Sequence, residues 1–194
     1  MSSLKERIKR LEADLRRDPL GHYMYHDLPF ATFCYTPAEE WAMRGEVALL
    51  KTRLENDHIR CIVYVSLADL LWRAIDESEG LDAVISLEAQ AGFDAAQQQI
   101  NDYLSDPDFR PLPGLLAEQL RSLNPHKDLA FIWRAGALAP NIYRVSKLLD
   151  EMKGRTHVPC VLFLPATTEG ASLRFMGIAE NEGRGSYHTK VYVD

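Results

Sequence analysis

Leu4, Ile8, Leu11 and Leu15 recur at intervals of four, three and four, which lays a narrow apolar stripe along a helix over about residues 4–17. Ser3 and Glu6 ahead of it have the spacing of a capping box. The run Phe30–Tyr35 (FATFCY) reads as a strand, with Pro29 at its start. Thr36-Pro37-Ala38-Glu39 then predicts a helix start, with Thr36 as N-cap, Pro37 in the first turn and Glu39 closing the box. Trp41, Val47, Leu50 and Leu54 are expected to form that helix's buried face, and Asn56 its end. Ile59–Leu67 (IRCIVYVSL) is nearly continuously apolar, as suits a strand covered on both faces. Ser66 caps the next helix, which Gly80 ends.

Residues 81–104 have helical period, broken at Gly92, and the loop 105–113 is punctuated by Pro107, Pro111 and Pro113. A helix over Leu115–Leu123 and a strand over Leu129–Arg134 (LAFIWR) follow. Pro140 is expected to open a helix that carries Ile142, Val145, Leu148 and Leu149 and closes at Gly154. Val158–Pro165 is a further strand, and Leu173–Ile178 and Tyr187–Val193 are expected to pair as an antiparallel C-terminal hairpin at one sheet edge. Strands alternating with helices predict a three-layer α/β fold, its mostly parallel sheet flanked by helices. One domain is expected over 1–194, with residues 1–20 as an amphipathic helical extension.

Composition leaves this picture intact. The chain has 194 residues, 46% hydrophobic and 26% charged, an ordinary globular balance. Its net charge of −6 offers no general attraction for nucleic acid, so no direct nucleic-acid partner is expected. No apolar run approaches the roughly 18 residues of a membrane span and no signal-peptide core precedes the first helix, so a cytoplasmic protein is expected. Cys34, Cys61 and Cys160 each fall in an apolar run and are expected to be buried, reduced thiols.

Catalytic chemistry is not written in any motif. A phosphate-binding α/β domain needs glycines between strand and helix so that backbone amides approach the anion. Here the strand ends read Ser66-Leu67-Ala68-Asp69 and Thr36-Pro37, and Gly183-Arg184-Gly185-Ser186 precedes a strand rather than a helix. His22 and His26 stand four apart in a stretch bracketed by Gly21 and Pro29, where a loop would not bring two imidazoles together, so no metal is expected. His157 and Cys160 are three apart on a strand and point to opposite faces. No cofactor is expected either.

In an open α/β sheet the loops at the carboxyl ends of the strands build the working crevice. These loops single out Arg134 and Gly136, then Thr167 and Thr168, as candidate partner-binding residues. Arg134 has a competing structural role, a salt bridge tying sheet to helix. Leu4, Ile8, Leu11 and Leu15 are further candidates, with docking on the chain's own body as the alternative. Residues 1–17 carry six basic and three acidic side chains.

The strings Tyr25–Val47 (YHDLPFATFCYTPAEEWAMRGEV), Leu104–Pro113, Arg134–Thr167 and Leu173–Ile178 resemble the BrxB family of BREX phage-defence systems, in order and over nearly the whole chain. The resemblance implies a non-enzymatic accessory subunit working with other BREX proteins, among which are a DNA methyltransferase, a large ATPase and the alkaline-phosphatase-like PglZ. PglZ is the expected direct partner. An alternative is a degenerate RecA-like or AAA-like domain contributing in trans to another subunit's nucleotide site, with Arg134 as the contributed side chain.

Overall fold

The computed structural model describes residues 3–17, 28–169, 172–178 and 189–193. Helix α1 (Leu4–Arg17) starts in the expected capping box, Ser3 N–H donating to Glu6 at 2.8 Å and Glu6 N–H to Ser3 Oγ at 3.3 Å. Strand β1 (Phe30–Tyr35) runs through a turn of 3-10 helix (Pro37–Glu39) into α2 (Glu40–Asn56). Strand β2 (Cys61–Ser66) leads into α3 (Leu67–Glu77), α4 (Leu81–Ala91), α5 (Phe93–Ser105) and α6 (Leu112–Leu120). Strand β3 (Asp128–Trp133), a 3-10 turn (Ala135–Leu138) and α7 (Val145–Glu151) follow, then β4 (Cys160–Glu169), β5 (Ser172–Phe175) and β6 (Lys190–Tyr192).

The sheet order is β2-β3-β4-β1-β6, all parallel, with β5 antiparallel to β4. From β1 the chain crosses to the far edge at β2 and then returns strand by strand. Parallel crossovers are right-handed, so reversing direction across a sheet requires changing face. The helices divide accordingly. The side chains of α1 and α2 pack with Ala31, Phe33, Phe131, Val161 and Phe163, while α3 to α7 pack with Phe30, Cys34, Ile132, Leu162 and Leu164. Alternate residues of the same strands feed the two cores, the period-two pattern of a sheet covered on both sides.

Four readings need correction. The antiparallel C-terminal pair joins β4 to β5, Ala166 opposite Phe175, while β6 lies parallel to β1 at the edge, Thr32 opposite Val191. Strand β4 has ten residues and its parallel partners six, so its overhang past Pro165 carries unpaired backbone groups that the chain satisfies by doubling back. The glycine-rich turn at 183–186, and His22 and His26, lie outside the described residues.

Pro140 does not open a helix. The peptide bond before it is cis and the helix begins at Val145, because Ala135–Leu138 already forms the turn leaving β3. Trp41 is 78% exposed, not buried. Cys61 is exposed because it starts a strand at the sheet's edge, whereas Cys34 and Cys160 are buried.

Candidate interaction surface

Parallel strands bring the ends of β1, β2, β3 and β4 to one edge of the sheet, and the turn leaving each is short. After β2, Ser66 Oγ accepts the Asp69 N–H at 3.2 Å, so the first turn of α3 is capped by its own chain and carries the Asp69 carboxylate. After β1, Glu39 accepts from the Thr36 N–H at 2.9 Å and the Thr36 hydroxyl at 3.0 Å. Arg7, 4% exposed, reaches the same corner from α1 and holds Glu39 at 2.9 Å. Burial alone would raise the Glu39 pKa; the Thr36 amide and the Arg7 guanidinium overcome it and hold the carboxyl below its ordinary value. Both turns thus present anions where a phosphate would need donors.

Arg134 sits in the left-handed region, φ 57°, where β3 breaks into the following turn. Its guanidinium meets Asp69 at 3.0 Å, so the sheet-to-helix tie exists, with 42% and 70% of the two side chains exposed. Gly136 lies beneath the β4–β5 hairpin: a Cβ there would stand 3.5 Å from Met176 Sδ. Thr167 is half-buried on the hairpin, opposite Arg174, and Thr168 pairs with Leu173. Arg134, Gly136 and Thr167 therefore belong to one edge of the molecule. Leu4, Ile8, Leu11 and Leu15 do not; they are buried against α2 and the sheet, with at most 9% of Leu4 exposed.

The two buried thiols, Cys34 and Cys160, offer no nucleophile beside a base. Burial pushes Cys34 up to about 12 and raises Cys160 as well, and His157 lies exposed while Cys160 Sγ contacts its neighbour Val158 O at 3.3 Å.

A second feature adjoins this edge on the α2 side. The Arg44 guanidinium lies 4.8 Å from the Trp41 ring centroid and 5.6 Å from that of Trp133. Trp133 packs on Tyr64 at 5.3 Å, and Lys51 Nζ lies 5.7 Å over the Tyr64 ring. Glu40 fixes the stack from behind, accepting from Arg44 Nε at 2.7 Å and from the buried Tyr35 hydroxyl. Burial first, and then the Glu40 carboxylate, push the Tyr35 phenol far above its ordinary range, so it stays a hydrogen-bond donor. The row runs Trp41, Arg44, Trp133, Tyr64, Lys51, and the exposed Trp41 caps it at one end. Sequence reasoning assigned Trp41 to the core. At 100° per residue it lies roughly 150° round the helix from the buried row Met43, Val47, Leu50 and Leu54, a signal present in the spacing.

The model of the family described as BREX protein BrxB matches residues 63–190. The chain belongs to the BrxB family. A relative from Bacillus cereus (strain H3081.97), also described as BREX protein BrxB, is 24% identical over 155 residues, 78% of each chain. No solved structure matches. The family match takes in β3, the Arg134 edge and the whole β4–β5 hairpin, and it reaches Trp133 and Tyr64 but not Trp41 or Arg44. Among the described residues no helix is long and apolar enough to cross a membrane.

Proposed function

We propose that this protein is a non-enzymatic interaction subunit of a BREX phage-defence assembly and that it binds the PglZ component through the Trp41–Arg44–Trp133 surface and the adjoining Arg134 edge. Family membership supports the setting. The observation that carries the role is Trp41, a large ring left 78% exposed yet held in place by a cation sandwiched between two indoles. Trp, Tyr and Arg dominate the energetics of protein interfaces, and a ring ordered before binding loses little entropy on docking. The strand-end turns, occupied by the carboxylates of Glu39 and Asp69, favour recognition over phosphate chemistry.

The test is recovery of PglZ by the tagged protein co-expressed from its operon. Trp41→Ala and Arg44→Ala should lower PglZ recovery tenfold or more while the Trp41→Ala melting temperature stays near that of wild type. Unchanged recovery by a folded Trp41→Ala protein would remove this surface from the interface, and ATP turnover by the purified chain alone would overturn the non-enzymatic assignment.

A further inference from the structure

Helix α4 is apolar in composition (LDAVISLEAQA), yet Val84 is its one buried residue. Leu81 is 41% exposed and Ile85, one turn on, 53%; Phe93, opening α5 just after Gly92, is 61% exposed. A helix of eleven residues is marginal by its own hydrogen bonds and ordinarily depends on burying a face. This one packs against α5 and leaves its largest side chains in solvent.

The charge around these side chains is one-sided. Residues 74–109 contain nine Asp and Glu and no Lys, Arg or His, whereas the rest of the chain carries nineteen acidic residues against twenty-two Lys and Arg. The overall acidity of the protein is therefore the acidity of this segment. Asp82 and Glu88 stand three residues either side of Ile85, on the same face of α4, and Asp94 follows Phe93. Asp82, Glu88 and Asp94 are exposed, and none pairs with a cation among the described residues.

We infer that the α4–α5 hairpin is a second docking surface, whose occupant is a protein presenting an apolar groove bordered by Lys and Arg. Charge decides among occupants. The carboxylates of Asp82, Glu88 and Asp94, in a segment without a cation of its own, repel nucleic acid, an anionic membrane and the same face of a second copy, and they steer a cationic protein surface toward the three apolar anchors. The inference rests on the proposed role as an interaction subunit, but it uses different residues from the Trp41 surface and does not require PglZ to be the protein bound.

The experiment places p-benzoylphenylalanine at Ile85 or at Phe93 in the full chain, co-expressed with its operon, and identifies the photocrosslinked peptides by mass spectrometry. Crosslinks from both positions to one Lys- and Arg-flanked segment of another protein of the assembly are expected. The triple substitution Asp82→Lys, Glu88→Lys, Asp94→Lys should then reduce association with that protein at least tenfold at low salt and flatten its salt dependence. All of the altered side chains are exposed, but Asp82 and Asp94 stand in the first turns of α4 and α5, where Lys opposes the helix dipole, so a circular-dichroism melt should stay cooperative and fall only slightly below wild type. Crosslinks to nucleic acid or to a second copy of this chain would overturn the inference, and so would their absence from an assembly recovered intact. If Trp41→Ala loses PglZ while these crosslinks persist, the two surfaces are separate; if the unmodified chain recovers no operon protein, the interaction role itself fails and this inference with it.

Discussion

One guanidinium nitrogen of Arg7 lies 2.9 Å from each carboxylate oxygen of Glu39, while its neighbour donates to Cys34 O at 2.7 Å. The pair fastens α1 to the turn that leaves β1, at the edge bearing Trp41 and Arg44. With Arg7 buried and Glu39 less than a third exposed, removing one partner leaves the other in a poorly solvated place. Arg7→Met should cost about 2–3 kcal/mol in urea unfolding. A loss below about 0.5 kcal/mol would show that the contact is not maintained in solution.

The same pair sets an acid limit. Glu39 titrates below its ordinary value of 4.5 when folded, so its contribution is fully present above that pH and is lost as pH falls through the lower folded value. Glu12, beside Arg53 and Arg16, and Asp14, beside Lys190 and Tyr192, shift in the same direction against the opposing effect of burial. Stability measured from pH 6 to pH 3 should therefore decline mainly below about 4.5. In Glu39→Gln, less stable at pH 6, the decline should be shallower; an equal slope in both proteins would mean that Glu39 titrates normally.

Helix α1 was ambiguous in sequence because an apolar stripe says that a helix docks, not where. Its burial beside Met43, Val47, Leu50 and Leu54 makes it part of the domain. Deleting residues 1–17 exposes the matching face of α2 and should lower the melting temperature by roughly 10 °C or more, at about 1.5–3 kcal/mol for each large apolar side chain withdrawn. A truncated protein that melts with the full chain would return α1 to the list of partner surfaces.

Strands were legible where each carried a continuous apolar run, as in Phe30–Tyr35 and Leu129–Arg134, since burial on both faces leaves no room for polar alternation. Helix starts were legible at Ser3 and Ser66, where capping chemistry is local. Partnering was not. Nothing local tells Leu173 to pair with Thr168 rather than with a later strand, and nothing local puts Val191 beside Thr32. Trp41 is apolar yet exposed because its angle on α2, opposite Met43, Val47, Leu50 and Leu54, outweighs its hydrophobicity. The acidity of residues 74–109 was readable from composition, yet the net charge of −6 for the whole chain conceals it.

Arg134 separates recognition from folding. Its left-handed backbone is disfavoured for a residue with a Cβ, by about 1–2 kcal/mol, and its pair with Asp69 is exposed and correspondingly weak. Arg134→Gly should thus relieve strain, lose little else and stay within about 1 kcal/mol of wild type. Arg134→Glu keeps the strain, faces Asp69 with a like charge and should fold slightly less well. If the guanidinium serves a partner, both variants should recover less PglZ, and Arg134→Glu with Asp69→Lys should restore stability without restoring binding. Restored binding in the double variant would make Arg134 an internal tie and nothing more. If the assembly forms normally around Arg134→Gly while its ATP hydrolysis falls, the side chain acts at another subunit's nucleotide site, and its assignment to the PglZ surface is wrong.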